Sequence, residues 1–254
     1  MLNDIEDLFK KKQCAFGIFM KTGDQAFVEI AGLSGFEFVI LDMEHGPVDF
    51  LNLQNLIRAA ECAGVLPVVR VSALDATCVS RALDVGAKAV QVPMIETAEE
   101  ARLAVNFAKY APEGARGVCR YVRAAGYSSK DRFEYFREAN SSLVILQLEG
   151  EEGVRNIDAI LETPGVDVIF VGPYDLSQSL GVPGQTEHPI VEEKIRFIVE
   201  KASKKNIVVG TFVDDAGQAK KWMEAGVQYI ACSVDTGIFY QACKQLRGSF
   251  NIEK

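Results

Sequence analysis

Acidic side chains stand just after two apolar runs of this sequence. Glu149 follows residues 143–148, and Asp175 lies shortly beyond residues 166–171. If these runs are consecutive parallel strands, both carboxylates lie at the same end of the sheet, where their oxygens can meet. Two carboxylates with water molecules suit a hard divalent cation such as Mg²⁺ or Mn²⁺. The pair therefore predicts a cation site, with solvated rim carboxylates or pairing to an arginine as the alternative.

A histidine and an arginine stand at the ends of two earlier runs. His45 lies in the turn DMEHGP, and the ordinary histidine pKa of about 6.5 suits a proton shuttle near neutral pH. Arg70 closes its run and can place a fixed positive charge beside a developing oxyanion. The alternatives are a structural histidine and a rim salt bridge from Arg70 to Asp42 or Glu44.

Other chemistries are disfavoured by residue placement. Lys88 stands at the start of its run and Lys21 at the edge of the first one, so neither occupies the strand position expected of a Schiff-base lysine. No glycine-rich nucleotide-binding motif follows any run. The stretches GTFVDD and SVDTG carry acidic groups, which would repel a phosphate at the ends of the last two runs.

Eight apolar runs are available to position these side chains. They are rich in Val, Ile and Phe and do not alternate with polar residues, which is typical of parallel strands buried on both faces. They cover residues 14–20, 36–41, 66–71, 87–94, 143–148, 166–171, 207–213 and 227–233.

Helical patterns follow the runs. They cover 49–64, 75–86, 96–110, 151–162, 190–205, 215–226 and 237–247. Gly64, Gly86 and Gly226 stand where a left-handed cap would turn the chain back into the next strand. Eight apolar runs alternating with helical patterns in about 250 residues predict one (β/α)8 barrel domain over residues 1–254. An open doubly wound sheet is the rival, but it usually has fewer units and a glycine-rich first turn.

Composition narrows the class of protein further. The 254 residues carry 27 Lys and Arg against 35 Asp and Glu, a net charge of -8. This balance argues against nucleic acid and anionic membranes as partners. Six cysteines without CxxC spacing indicate buried free thiols. The first residues show no signal-peptide pattern, so we expect a cytoplasmic protein.

Five segments resemble the HpcH/HpaI aldolase family over about residues 14–247. They are FVILDMEHGPVD, PVVRV, ALDVGAKAVQVPMIETAEEA, ILQLEG and VDVIFVGPYDLSQSLGVPGQTEHP. The D-x-EH turn and the GP-x-DLS-x-SLG stretch are its specific features. The resemblance implies a metal-dependent aldolase that reversibly cleaves a 4-hydroxy-2-oxo acid, through an enolate, to pyruvate (or a close 2-oxo acid) and an aldehyde. Its cofactor would be Mg²⁺ or Mn²⁺, with Co²⁺ as a further option.

The resemblance also implies roles for individual residues. Glu149 and Asp175 would bind the ion, His45 would be the base, and Arg70 would stabilise the enolate. The 2-oxo acid would be held by Gln147 and by the stretch formed by Gly172, Pro173, Tyr174 and Asp175.

Asp84 matches the acidic residue that raises the basicity of the family's histidine. Because its helix ends at the opposite face of the barrel, Asp84 would reach His45 only from a neighbouring subunit. The resemblance therefore implies a homo-oligomer, a hexamer or trimer of dimers, with a C-terminal helix exchanged between subunits.

Three departures from the family pattern concern the aldehyde. Cys119 replaces the last glycine of a stretch that reads RGVG in the family. Tyr174 and Phe212 narrow the predicted aldehyde pocket. Arg120 and Arg123 either meet a distal carboxylate or lie on a solvated loop.

Two other functions stay open at this point. One is a related lyase or synthase with another acyl partner, in citrate-type or acyl-CoA condensation. The other is a binding protein on an inactivated barrel, which is disfavoured because the chain retains Glu149, Asp175, Arg70 and His45 together.

Overall fold

The barrel is closed and entirely parallel. The computed structural model describes residues 2–250, and in it each strand pairs with the next while β8 pairs with β1. The predicted (β/α)8 fold is confirmed, and the closure excludes an open doubly wound sheet. The strands are β1 (Ala15–Met20), β2 (Phe38–Asp42), β3 (Leu66–Arg70), β4 (Ala89–Val92), β5 (Leu143–Leu148), β6 (Val168–Val171), β7 (Val208–Val213) and β8 (Tyr229–Val234).

The helices surround this barrel. They are α1 (Leu2–Lys10), α2 (Gln25–Leu33), α3 (Phe50–Ala63), α4 (Ala76–Asp84), α5 (Ala98–Ala108), α6 (Arg132–Ala139), α7 (Glu151–Arg155), α8 (Ile157–Leu161), α9 (Pro173–Ser179), α10 (Pro189–Ser203), α11 (Ala216–Glu224) and α12 (Asp235–Ser249), with a 3₁₀ helix at Arg123–Ser128. Within residues 2–250, no helix is both long and apolar enough to cross a membrane.

Strand side chains divide between two hydrophobic layers. One layer lies between strands and helices, and the other fills the barrel interior. In the interior, the rings of Phe38 and Tyr229 stack with their centroids 3.9 Å apart. A Cβ atom at Gly17 would lie 2.1 Å from the Phe38 ring, and one at Gly210 would lie 2.6 Å from the Tyr229 ring. These two glycines therefore admit the large rings at close-packed density.

The predicted glycine caps are confirmed. Gly64 closes α3 in the left-handed conformation with φ 73°, and its N–H bonds to the Ala60 carbonyl. Gly86 and Gly226 also have positive φ, 113° and 103°. Each turns the chain from a helix towards the next strand, as the sequence pattern indicates.

Several elements differ from the sequence expectation. Of the helices in residues 2–250, five are not among the predicted ones: α1, α2, α6, α9 and the 3₁₀ helix. Of these, α1 packs Ile5, which is 1% exposed, into the interior layer at the amino ends of the strands. The predicted helix 151–162 is broken at Asn156, whose side chain donates to the Glu96 carbonyl at 2.9 Å. The predicted helix 237–247 extends to Asp235 and Ser249 as α12.

The prediction of buried cysteines is wrong. Cys62, Cys119 and Cys243 are exposed, and the other three are only partly buried. Two of the exposed thiols lie on the outward faces of α3 and α12 and the third in the loop after α5. All six are free.

Candidate active site

A cavity of about 410 Å³ opens at the carboxyl ends of the strands. All but one of the residues selected from the sequence line it, and they come from four different strand ends. Its selected lining residues are His45, Arg70, Gln147, Glu149, Gly172, Pro173, Tyr174 and Asp175. The exception is Asp84.

Arg70 is fixed in this cavity by Asp42, its partner in the β2–β3 register. The Nε and Nη2 atoms of Arg70 donate to the two Asp42 carboxylate oxygens at 2.9 and 2.7 Å. Its Nη1 atom lies 3.1 Å from a Glu44 oxygen, and its guanidinium lies 4.7 Å from the centroid of the Phe19 ring. The predicted salt bridge is thus present. It keeps the Arg70 guanidinium in the wall of the cavity.

Asp42 stays ionised although it is fully buried. Burial alone would raise the pKa of Asp42, but the Arg70 guanidinium and two backbone N–H groups outweigh it and hold that pKa below its ordinary value. Those N–H groups belong to Glu44 and His45, at 3.1 and 3.3 Å from Asp42 Oδ1. A Cβ atom at Gly46 would lie 2.3 Å from the Asp42 carbonyl oxygen, so this tight turn requires glycine.

His45 projects from that turn into the open part of the mouth. Its side chain is 56% exposed, and Nε2 lies 3.9 Å from a Glu44 oxygen. The Glu44 carboxylate is mostly buried, and burial is the main cause of its raised pKa. The imidazole is therefore accessible to a substrate. The same Glu44 oxygen lies near both His45 and Arg70.

Glu149 lies at the centre of a buried polar chain. Gln91 donates to Gln147, whose Nε2 atom donates to Glu149 Oε2 at 2.6 Å. The backbone N–H of Met94 donates to Glu149 Oε1 at 2.9 Å. Burial raises the pKa of Glu149 to about 7, against the lowering effect of these donors. A Cβ atom at residue 172 would lie 2.7 Å from Oε2, so Gly172 leaves room beside the carboxylate.

Asp175 completes the acidic part of the cavity. It is exposed in the first turn of α9, and its negative charge raises the pKa values of both Glu149 and Glu44. A divalent cation between Glu149 and Asp175 would offset this repulsion, so the donor set fits such an ion. Among residues 2–250, no group of three or more His, Cys, Asp or Glu side chains converges to hold a metal by itself. Further oxygens would come from substrate and water.

Several lining residues were not selected from the sequence. Phe19 and Lys21 come from the end of β1, and Asp214 from the end of β7. Lys21 Nζ lies 3.7 Å from Asp42 Oδ2. The motif GTFVDD indicates an acidic residue after β7, but the sequence does not indicate which groups that residue contacts.

Asp84 lies at the other end of this chain's barrel. It is the last residue of α4, and Arg116 Nη2 donates to its carboxylate at 2.6 Å. The Arg116 side chain is 2% exposed and lies over the Tyr110 ring, 4.7 Å from its centroid. Within one chain, Asp84 and His45 are therefore not brought together.

A parallel barrel with its charged side chains gathered at the carboxyl ends of the strands is an enzyme scaffold. The chain belongs to the HpcH/HpaI aldolase/citrate lyase family, whose pattern matches residues 15–242. The predicted family membership is confirmed, and so is the prediction that the chain is an aldolase, a carbon–carbon lyase.

Known relatives cover nearly the whole chain. A hydroxypyruvate/pyruvate aldolase of Paraburkholderia phytofirmans is 37% identical over 96% of this chain and 95% of its own length. A 5-keto-4-deoxy-D-glucarate aldolase of Escherichia coli K12 is 35% identical over 98% of this chain and 96% of its own. The crystal structure of a family protein from Burkholderia cenocepacia has a TM-score of 0.93 at 33% identity and covers 99% of this chain and 100% of its own.

Proposed function

We propose that this aldolase reversibly cleaves a 4-hydroxy-2-oxo acid to pyruvate, or a close 2-oxo acid, and an aldehyde. The observation that carries this proposal is the convergence of Glu149, Arg70 and Gln147 in one cavity. A carboxylate for a cation, a fixed guanidinium and an amide are the groups that a 2-oxo acid and its enolate require. The names of the relatives, which include pyruvate and keto-acid aldolases, support the same substrate class.

Glu149 and Asp175 would hold the divalent ion. When bound, the ion supplies Lewis-acid polarisation of the 2-oxo group. Mg²⁺ and Mn²⁺ suit two carboxylates with additional oxygen ligands, and Co²⁺ is a further option. Gly172 keeps the space beside Glu149 Oε2 clear. Gln147 orients the carboxylate through its hydrogen bond.

The substrate's 2-oxo acid portion would lie between Gln147 and the start of α9. In that stretch Gly172, Pro173, Tyr174 and Asp175 line the cavity, and the N–H groups of the first helical turn lack intrahelical partners. Arg70 would place its charge beside the oxygen on which the enolate develops. Because Asp42 already fixes the guanidinium, this stabilisation needs no rearrangement during the reaction.

His45 would act as the base. In cleavage it removes the proton of the C4 hydroxyl, directly or through one water, while the C3–C4 bond breaks to release the aldehyde and leave an enolate at C3. A proton from the His45 imidazolium, directly or through water, then adds to C3 and gives the methyl group of pyruvate. Condensation follows the same steps in reverse.

We further propose that the active enzyme is an oligomer in which Asp84 reaches His45 of a neighbouring subunit. Apolar side chains of α12 support this proposal because they are exposed in the single chain. They are Ile238, Phe239, Tyr240 and Leu246, between 44% and 63% exposed. Several large apolar side chains exposed on one helix indicate an interaction surface, and exchange of α12 between subunits of a hexamer or trimer of dimers would cover them.

A reducing compartment such as the cytoplasm is part of the proposal. All six cysteines are free, three of them exposed, and such thiols persist where disulfides are kept reduced. We expect small-molecule substrates and no nucleic-acid or membrane partner.

The competing proposal is a citrate-type or acyl-CoA lyase or synthase, and the family description names citrate lyase. A CoA thioester would need basic side chains to receive its phosphates. The two basic side chains of the cavity lining, Lys21 and Arg70, both face Asp42. The cavity therefore disfavours an acyl-CoA partner for the 2-oxo acid.

Proton exchange into pyruvate in D2O tests the proposed function without knowledge of the aldehyde. The methyl signal is followed by NMR with EDTA-treated protein, with added Mg²⁺ or Mn²⁺, and with Glu149→Gln. Glu152→Gln, an exposed neighbour on α7, is the matched control. We expect metal-dependent exchange in wild type and control and its loss in Glu149→Gln. No exchange with any divalent ion would refute the pyruvate enolate.

A further inference from the structure

One side of the mouth cavity is formed by side chains that are not assigned to the 2-oxo acid or the ion, because the start of α9 would face the 2-oxo acid with its backbone N–H groups. Phe212 and Asp214, from the end of β7, form this side together with the Tyr174 ring. Glu149, Arg70 and Gln147 hold the 2-oxo acid. The aldehyde partner therefore occupies the remaining space of the cavity, whose walls include Phe212, Asp214 and the Tyr174 ring.

Tyr174 and Asp214 are fixed against each other. The Tyr174 hydroxyl lies 3.0 and 3.2 Å from the two oxygens of the Asp214 carboxylate and donates to it. The Tyr174 ring meets the Phe212 ring edge-on, with centroids 5.9 Å apart. A tyrosine phenol is a hydrogen-bond donor at neutral pH. The carboxylate consequently has a defined position at the mouth.

Within residues 2–250 of the single chain, no cation forms an ion pair with the Asp214 carboxylate, which contacts the neutral Tyr174 phenol. Lys21 and Arg70, the basic side chains of the cavity, both pair with Asp42. The aldehyde side of the cavity therefore carries negative charge.

We propose that Asp214, positioned by Tyr174, makes the enzyme select uncharged, hydroxyl-bearing aldehydes over aldehydes that carry a carboxylate. This inference rests on the proposed aldolase function and adds the acceptor class to it. A hydroxyl of the aldehyde can donate its one proton to a free lone pair of the Asp214 carboxylate or to the Tyr174 oxygen. A carboxylate at the same place has no proton to donate and is repelled at short range.

Glycolaldehyde and glyoxylate give the sharpest test because both have two carbons and differ in a hydroxymethyl against a carboxylate. The measurement is kcat/KM for condensation of each with pyruvate, and the readout is their ratio. The ratio cancels changes in the pyruvate half of the reaction. Glyoxylate is intrinsically the more reactive aldehyde, so the change in ratio between variants is decisive rather than its absolute value.

Asp214→Asn keeps the side-chain shape and removes the charge. We expect the ratio to move about tenfold towards glyoxylate, the scale of one like-charge contact near a protein surface. Tyr174→Phe keeps the ring but releases Asp214, and we expect a smaller move in the same direction. Glu224→Gln is the charge-matched control on α11, exposed and at the end of that helix, and its ratio should equal that of wild type.

An unchanged ratio in Asp214→Asn would overturn the inference, and so would an equal change in Glu224→Gln. Acetaldehyde, which has no hydroxyl, separates the two parts of the effect. If Asp214 accepts a hydrogen bond, Asp214→Asn lowers kcat/KM for glycolaldehyde more than for acetaldehyde. Loss of pyruvate proton exchange in wild type would refute the proposed function instead, so the two failures are distinguishable.

Discussion

The carboxylate of Asp42 accepts two parallel hydrogen bonds from Arg70, at 2.9 and 2.7 Å, across the β2–β3 register. This geometry is specific to a guanidinium, because an ammonium group cannot present two coplanar donors. The pair is buried at the base of the mouth cavity. It therefore fixes both the position and the orientation of the positive charge that the proposed enolate needs.

Arg70→Ala should lower kcat for cleavage by about 10² to 10³, the scale of one lost oxyanion partner. Arg70→Lys should recover little of this, since a single ammonium cannot keep both bonds to Asp42 and still face the substrate. The measurement is steady-state cleavage of a 4-hydroxy-2-oxo acid, with proton exchange into pyruvate as a second readout. Near-wild-type turnover of the alanine variant would remove Arg70 from the mechanism.

Glu149 should give the metal-free protein a pH-dependent stability. Its pKa is raised by burial from 4.5 to about 7, so the folded state binds this proton more tightly than the unfolded state. The stabilisation is fully present below about pH 4.5 and is lost as the pH rises through about 7. A difference of this size corresponds to about 3 kcal/mol in the free energy of unfolding.

Urea unfolding of EDTA-treated protein at pH 5 and pH 8 measures this loss. Glu149→Gln gives up one hydrogen bond, at a cost of about 1 kcal/mol that does not vary with pH, and its pH dependence should be weaker than that of wild type. Glu152→Gln is the control and should follow wild type. If Glu149→Gln kept the full pH dependence, the assignment of the titration to Glu149 would be wrong.

The barrel and the assembly of its mouth could be predicted because both depend on short-range patterns. Unbroken apolar runs indicate strands buried on both faces, and parallel strands bring the residues after each run to one end. This arrangement of parallel strands brings four of the selected residues together in the cavity: His45, Arg70, Glu149 and Asp175.

Contacts that depend on strand register and long-range docking could not be predicted. Asp42 appeared in the sequence as one of two alternative salt-bridge partners, whereas the register makes it the buried anchor of Arg70. The link from Gln91 to Gln147 crosses two strands that are distant in sequence. Helix α1 comes before β1 rather than after a strand of the barrel, so its docking beneath the barrel through Ile5 follows no strand–helix pattern.

The exposed apolar face of α12 should hold the oligomer together. Leu246, 63% exposed in the single chain, would be buried by a neighbouring subunit, so Leu246→Asp should shift the protein towards smaller species. Lys244→Asp introduces the same residue on the same helix, two positions away, and should leave the assembly intact. Size-exclusion chromatography with light scattering gives the mass of each variant. An unchanged mass for Leu246→Asp would contradict a role for this face.

Subunit mixing tests whether Asp84 serves His45 of a neighbouring subunit. In one chain Asp84 pairs with Arg116 at the far end of the barrel, so Asp84→Ala and His45→Ala should each have low activity. In oligomers assembled from both variants, a site with His45 from one subunit and Asp84 from the other is intact. Random mixing makes about a quarter of the sites of this kind, and activity should return to about that fraction.

Mixing His45→Ala with Arg70→Ala, whose residues belong to the same mouth, is the control and should restore nothing. Absence of recovery in the first mixture would mean that Asp84 supports the fold through Arg116 and takes no part in the neighbouring site.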